Sequence, residues 1–208
     1  MSRTVNLKLP LDEAAVSELQ VGDMVNLSGD LVLVGGLPTH ERICEYLAQG
    51  RELPIELRGA TILHFGGYNY ESDGQFKLRY LNPTTSTRFN PYMPTLIRGL
   101  GLRAVGGKGG LDAASAAAMR EVGCVYLSFP GGACTLFTNA IREVKAVEWN
   151  DFIIHYRLVQ LQVEDLGPGT VAIDAQGRSL YDELSAGAAS AMPAILHELD
   201  RSRAETPH

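Results

Sequence analysis

The chain has 208 residues, 45% of them hydrophobic, which is enough to bury the core of one large domain. Its 24 acidic residues outweigh 18 Lys and Arg, leaving a net charge of −6 with no basic run, which argues against nucleic acid and anionic membranes as partners. No stretch is long and apolar enough for a membrane span, and the N-terminus lacks a basic-then-apolar leader, so the expected compartment is the cytoplasm.

Val5 to Leu9 alternates and predicts a strand. Asp12 is placed to cap a helix that turns Ala15, Val16 and Leu19 inward. After a turn at Val21-Gly22-Asp23, Met24 to Leu27 and Leu31 to Val34 predict two paired strands about Ser28-Gly29-Asp30. Thr39 is the predicted N-cap of a helix from His40 to Gln49, with Gly50 as its stop. Residues 60–66 predict a buried strand, 68–74 a polar hairpin tip, and Phe76 to Leu81 the return strand, which delivers Asn82 at its end. A helix over 91–99 leads to a strand at 102–105, and Leu111 to Val122 predicts an Ala-rich helix with Gly123 just past its end. A strand at 124–129, a helix at 134–141, and strands around Trp149, at 157–163 and at 170–174 follow. Ala186 to Leu199 predicts a helical tail, with roughly the last eight residues frayed. Strand, glycine turn, helix, twice over, implies an α/β fold with a mixed sheet, a parallel αβα portion and flanking strands.

Two stretches do not look like core. Asn82-Pro83-Thr84-Thr85-Ser86-Thr87-Arg88 packs four hydroxyls and a guanidinium into seven residues. Val105-Gly106-Gly107-Lys108-Gly109-Gly110 sets one ammonium between two glycine pairs, where backbone can approach a ligand closely. Hydroxyls, exposed N–H groups, a guanidinium fork and a point charge are what an anionic substrate requires. The bland alternatives are a turn whose hydroxyls bond their own backbone and a mobile glycine loop. A phosphate-binding Walker loop is not present, because Lys108 is followed by Gly109 rather than by Ser or Thr.

Cys44, Cys124 and Cys134 are an odd number with no CxxC pair, and they read as three free thiols rather than metal ligands. His64, on an apolar strand, reads as a core histidine, and His155 lies outside any motif. Tyr68 and Tyr70 are candidates either to line the site or to serve the hairpin.

In this order, Pro83-Thr84-Thr85-Ser86-x-Arg88 and Gly107-Lys108-Gly109-Gly110 resemble the C-terminal half of class I fumarases. The same region forms the separate β subunit of L(+)-tartrate dehydratases. Leu7-x-Leu9-Pro10-Leu11, Val21-Gly22-Asp23-x-Val25-x-Leu27-Ser28-Gly29 and His40-x-Arg42 carry the resemblance upstream. Val125-Tyr126-Leu127, Gly131-Gly132-Ala133, Val147-x-Trp149 and Val171-x-Ile173-Asp174-x-x-Gly177-x-Ser179-Leu180 carry it downstream, to about Leu184. It implies a swivelling β/β/α-type domain over residues 1–184, with 185–208 as the C-terminal helix and frayed tail of the same domain. It implies the β subunit, or C-terminal half, of an iron–sulfur hydro-lyase acting on a fumarate- or tartrate-like hydroxy(di)carboxylic acid.

By the same resemblance Thr84 holds the base position, Arg88 is a carboxylate clamp and Lys108 a second one within the catalytic set; His40 is a candidate either as an acid–base helper or as a packing residue. Thr85, Ser86, Gly107 and Gly109 complete the expected substrate-binding set. The 4Fe-4S cluster is expected on a partner α subunit in an α2β2 assembly, with no metal ligand from this chain. One departure stands out. The family carries Arg-Asp, two residues, then His, whereas the Arg position here falls on Gly35 or Gly36, which opens room for a bulkier or less charged end. The alternative from another class is a domain that binds a small carboxylate, or regulates a partner, without catalysis.

Overall fold

The computed structural model describes residues 3–205, without the side chains of residues 204 and 205. The first strand, β1 (Thr4–Lys8), is followed by α1 (Glu13–Ser17), whose cap Asp12 accepts from the Ala15 amide at 2.7 Å. β2 (Met24–Leu33) is a single strand, not the expected pair about Ser28-Gly29-Asp30. Its first half pairs in parallel with β1, and its end pairs with β3 (Thr61–Leu63). Gly29 makes the change of neighbour possible: it sits at φ +123°, and a Cβ there would lie 2.7 Å from the Leu9 carbonyl oxygen. Ser-Gly-Asp reads locally as a turn, but neighbours on both sides hold the backbone extended.

β6 (Ala104–Gly107) and β7 (Val125–Ser128) continue the parallel portion beyond β3. The expected strands at 157–163 and 170–174 are fused into the 16-residue β9 (Leu158–Ile173). β9 runs antiparallel to β2, to β7 and to β8 (Ile141–Glu148). The sheet order is β1-β2-β3-β6-β7-β9-β8, and the extra β2–β9 pairing closes a hydrogen-bonded circuit through β2, β3, β6, β7 and β9. The sheet is therefore mixed, and the class is α/β as the residues predict.

Alternation along the strands explains why their runs are apolar on both faces. Leu63, Ala104, Val125 and Leu127 join one core cluster, with Phe65, Phe129 and Phe137. Ile62, Val105 and Tyr126 join the other, under α2 (Leu37–Ala48), α3 (Met93–Leu100) and α4 (Ala113–Val122). α4 ends where predicted and starts two residues later: Asp112 caps it, accepting from the Ser115 amide at 2.9 Å, and Gly123 ends the helix left-handed at φ +71°. α2 starts earlier than predicted, with Gly36 as its cap and Pro38 in its first turn. The Thr39 hydroxyl is used elsewhere, donating to the Tyr156 carbonyl at 2.5 Å.

The predicted strand over 60–66 is divided at His64. Its amide donates to Gly106 and its carbonyl accepts from Thr84, so the chain leaves the sheet there and enters β4 (Phe65–Ser72). β4 pairs with β5 (Gln75–Pro83) across a turn at Asp73-Gly74, both at positive φ. The polar tip is thus two residues wide, and Tyr68 and Tyr70 lie within the strand. α5 (Cys134–Asn139) packs against β5 and β9. The last helix, α6 (Leu180–Glu205), begins six residues before the predicted start and runs through most of the tail expected to fray; residues 206–208 lie outside the described residues.

His40 in α2 stacks on Phe89 at 4.0 Å, and the His64 ring lies 5.1 Å from it. His40 Nδ1 lies 2.7 Å from the Gly36 carbonyl and donates to it, which leaves Nε2 buried with no partner. Burial lowers the His40 pKa from 6.5 to about 4, and burial followed by the charge of His40 lowers that of His64. The folded state therefore binds fewer protons than the unfolded one between about pH 6.5 and pH 4. Stability should be full above that window and fall as pH drops through it, by on the order of 3 kcal/mol for His40 alone. Urea midpoints measured from pH 7.5 down to pH 5 should fall, and His40→Phe, which keeps the stack, should flatten the slope. A constant wild-type midpoint would contradict the buried neutral pair.

Candidate active site

The two chemistry-bearing loops are joined by their backbones. The Thr84 amide donates to the His64 carbonyl at 2.7 Å, the Lys108 amide to the Thr84 carbonyl at 3.1 Å, and the Ser86 amide to the Lys108 carbonyl at 2.8 Å. Thr85 and Lys108 form an isolated parallel bridge. Gly107 permits this closeness: a Cβ there would lie 2.2 Å from Ser86 Oγ and 3.1 Å from the His64 Cβ. Ser86 is fully buried, and its hydroxyl accepts from the Tyr126 phenol at 2.8 Å and lies 2.9 Å from His64 Nδ1, to which it donates. Burial pushes the Tyr126 pKa up, which keeps it a donor.

Thr84, Arg88 and Lys108 line one cavity of about 310 Å³. An Nη of Arg88 donates to the Thr84 hydroxyl, and its Nε donates to the Thr85 carbonyl at 3.4 Å. No carboxylate lines the cavity, and neither Arg88 nor Lys108 takes part in a salt bridge among the described residues. Two unneutralised cations therefore face one space beside a polarised hydroxyl, which suits a carboxylate.

The remaining candidates sit behind this wall. Thr85 and Ser86 join the loops through Lys108, Gly107 allows their close approach, and neither these three nor Gly109 line the cavity. His40 is sealed under Phe89 and does not reach it. Arg42 of the same motif pairs with Asp151 at 2.6 Å and stacks on Phe152 at 3.7 Å. Tyr68 and Tyr70 are also off the wall, although Tyr68 stacks on Tyr80, which is part of it.

Gly35, Gly66, Tyr80, His155 and Tyr156 form the other side of the cavity, and residue types alone do not reveal them. The short 3₁₀ turn Ile154–Tyr156 is held there by tertiary bonds: Asn69 Nδ2 donates to the Ile154 carbonyl at 3.2 Å, and His155 Nδ1 lies 3.1 Å from the Gly67 carbonyl. A Cβ on Gly36 would lie 2.3 Å from the Tyr156 ring, and one on Gly35 2.6 Å from the Phe65 carbonyl oxygen. The side on which the resemblance expects an arginine is thus filled by Tyr156 and His155.

Two larger clefts, of about 610 and 540 Å³, do not have this chemistry. In the first, Lys77, Arg142 and Lys145 are paired with Asp73, Glu164 and Asp30. In the second, Arg51 and Arg58 share the wall with Glu52 and Glu56. The three cysteines are free, and burial pushes the Cys44 and Cys124 thiols up. Among the described residues no three His, Cys, Asp or Glu side chains converge as a metal site.

The family described as "Fumarase C-terminus" matches residues 1–184. The chain is 31% identical over 183 residues to a putative fumarate hydratase class I of Geobacillus stearothermophilus, covering 88% of this chain and 34% of that relative. It is 31% identical over 176 residues to a putative L(+)-tartrate dehydratase subunit beta of Methanocaldococcus jannaschii, covering 84% and 90%. It is 27% identical over 177 residues to the L(+)-tartrate dehydratase subunit beta of Escherichia coli K12, covering 85% and 86%. The chain thus spans about a third of the fumarate hydratase and most of each β subunit. With the matched region spanning both the hydroxyl loop and the lysine loop, the chain belongs to the fumarase C-terminus family.

Proposed function

We propose that this chain is the β subunit, or C-terminal half, of a hydro-lyase that adds water to, or removes it from, a hydroxy(di)carboxylic acid. The observation that carries the reading is the cavity shared by Thr84, Arg88 and Lys108, two of them cations without an acidic partner. The names of the relatives support the reaction class.

In the dehydration direction a proton must leave the carbon beside a carboxylate, and negative charge then builds on that carboxylate. The Arg88 fork and the Lys108 ammonium hold the carboxylate and stabilise the developing charge. Thr84 Oγ1, once its own proton has passed to solvent, takes the proton from carbon, the C–H electron pair forms the C=C bond, and the substrate hydroxyl leaves, taking up a solvent proton as water. Its contact with Arg88 lowers the cost of the alkoxide form, and a water relaying the proton serves the same end. Thr85, Ser86 and Gly107 keep the two loops in register, and His40, neutral and sealed, holds the start of α2 against Phe89.

The resemblance assigns a 4Fe-4S cluster, a Lewis acid for the substrate oxygens, to a partner α subunit in an α2β2 assembly. The described residues of this chain do not fit such a cluster, since its cysteines do not converge. No helix among the described residues is long and apolar enough to cross a membrane, and we place the assembly in the cytoplasm. Carboxylate binding without turnover is the second reading. It is favoured by the wall of Gly35, His155 and Tyr156, which offers no Arg or Lys to grip a second carboxylate.

Lys108→Ala in the complex with the α subunit should abolish turnover while leaving the unfolding midpoint within about 2 °C of wild type; undiminished activity would exclude a clamping role. Thr84→Val should lower kcat by roughly 10²–10⁴-fold with little change in substrate affinity, the signature of a lost proton acceptor. Equal losses in both would make Thr84 a binder only. The purified chain alone should stay colourless after anaerobic iron–sulfur reconstitution, and a broad visible absorbance would place the cluster here instead.

A further inference from the structure

Both fixed cations of the cavity belong to the loops joined at Thr84: Arg88 donates to its hydroxyl, and the Lys108 amide to its carbonyl. Together they account for one carboxylate. Most of the remaining lining comes from Gly35, Gly66, Tyr80, Asn82, His155 and Tyr156, with no Arg or Lys among them. His155 donates from Nδ1 to the Gly67 carbonyl at 3.1 Å, and an imidazole carries no fixed charge. Two nearby guanidiniums are committed elsewhere, Arg42 to Asp151 at 2.6 Å and Arg157 to Asn69 Oδ1 at 2.9 Å.

Packing keeps a further cation out of this side. At Gly35 a Cβ would lie 2.6 Å from the Phe65 carbonyl oxygen and 2.9 Å from that of His155, both backbone atoms that cannot swing aside. At Gly36 the obstacle is a side chain: the Cβ would lie 2.3 Å from Tyr156 Cδ1 and 2.5 Å from its Cγ. The Gly36 backbone is extended, at φ −128° and ψ 153°, which any residue adopts. The Tyr156 ring therefore occupies the path that a longer residue 36 would take. Tyr156 is itself fixed, since its carbonyl accepts from the buried Thr39 hydroxyl at 2.5 Å and its amide donates to the Ile153 carbonyl at 2.9 Å.

In a dehydration the carbon that loses its proton is next to the gripped carboxylate, and the carbon bearing the hydroxyl follows. The substituent on that second carbon is what meets the ring-lined side. A carboxylate there would leave water for phenols, an amide and an imidazole, whose hydrogen bonds do not repay the loss of hydration. A neutral substituent loses far less and packs against the Tyr80 and Tyr156 rings. We infer, on the hydro-lyase reading above, that the substrate is a 3-hydroxy monocarboxylic acid with an uncharged far end, and that Tyr156 and His155 select it against dicarboxylates.

The test uses the assembled enzyme and three acids that differ in one substituent. On the hydroxyl-bearing carbon malate carries a carboxylate, 3-hydroxybutanoate a methyl group and 3,4-dihydroxybutanoate a hydroxymethyl group. Calorimetry should give each neutral-ended acid a Kd about tenfold or more below that of malate. Malate bound as tightly as either would overturn the inference, because a cation from outside this lining would then hold its second carboxylate. His155→Arg places a guanidinium at an exposed position of the lining and should shift the Kd ratio towards malate by about tenfold. Gly36→Arg combined with Tyr156→Gly, in which the ring makes way for the guanidinium, should shift it in the same direction. A ratio does not depend on the fraction of folded protein, and one unchanged in both variants would overturn the inference. Turnover is read separately, from the ultraviolet absorbance of the unsaturated acid. The expected order of affinities without conversion of any of the three would sink the hydro-lyase reading and leave the selectivity standing. Conversion of malate in preference to the neutral-ended acids would do the reverse.

Discussion

The site depends on one backbone junction, where the carbonyls of Thr84 and Lys108 accept from the amides of Lys108 and Ser86. Those two bonds bring a loop rich in hydroxyls, at the end of β5, against a glycine loop at the end of β6. Without them Arg88 and Lys108 would be separate surface cations. With them, the two charges line one cavity. The junction has almost no room for variation, since even a methyl group at Gly107 would collide with the Ser86 hydroxyl.

The junction is braced from beneath by buried polar groups. The Tyr126 phenol donates to Ser86, and Ser86 lies against His64, whose own carbonyl holds the Thr84 amide. A buried network of this kind contributes rigidity only while its members stay neutral and paired. Burial keeps His40 and His64 unprotonated, so the geometry of the cavity is tied to pH through groups that never touch it. Above, the Tyr181 ring packs over Gly110, which joins the lysine loop to the start of α6.

The sequence is most legible where local chemistry and tertiary structure agree. The Asp12 cap, the Gly123 stop and the alternating first strand appear as predicted because nothing distant opposes them. Ser28-Gly29-Asp30 misleads, because its turn-forming character is overridden by β1 and β9 bonding on either side. The cation and hydroxyl half of the cavity is readable from residue type alone. The Tyr80, His155 and Tyr156 half is not, because those residues belong to no local pattern of polar groups and reach Gly35 only through the fold. His40 shows a further limit: its motif places it near the site, but only packing decides that the ring turns under Phe89 rather than into the cavity.

The central claim is that Arg88 and Lys108 grip the same carboxylate. A double-mutant cycle on carboxylate binding to the assembled enzyme, measured by calorimetry with Arg88→Met, Lys108→Met and the pair, tests it directly. If one carboxylate bridges both side chains, the double variant should lose little more affinity than either single variant. Losses that add to within about 0.5 kcal/mol would mean that the two cations act on separate groups, and the account would fail.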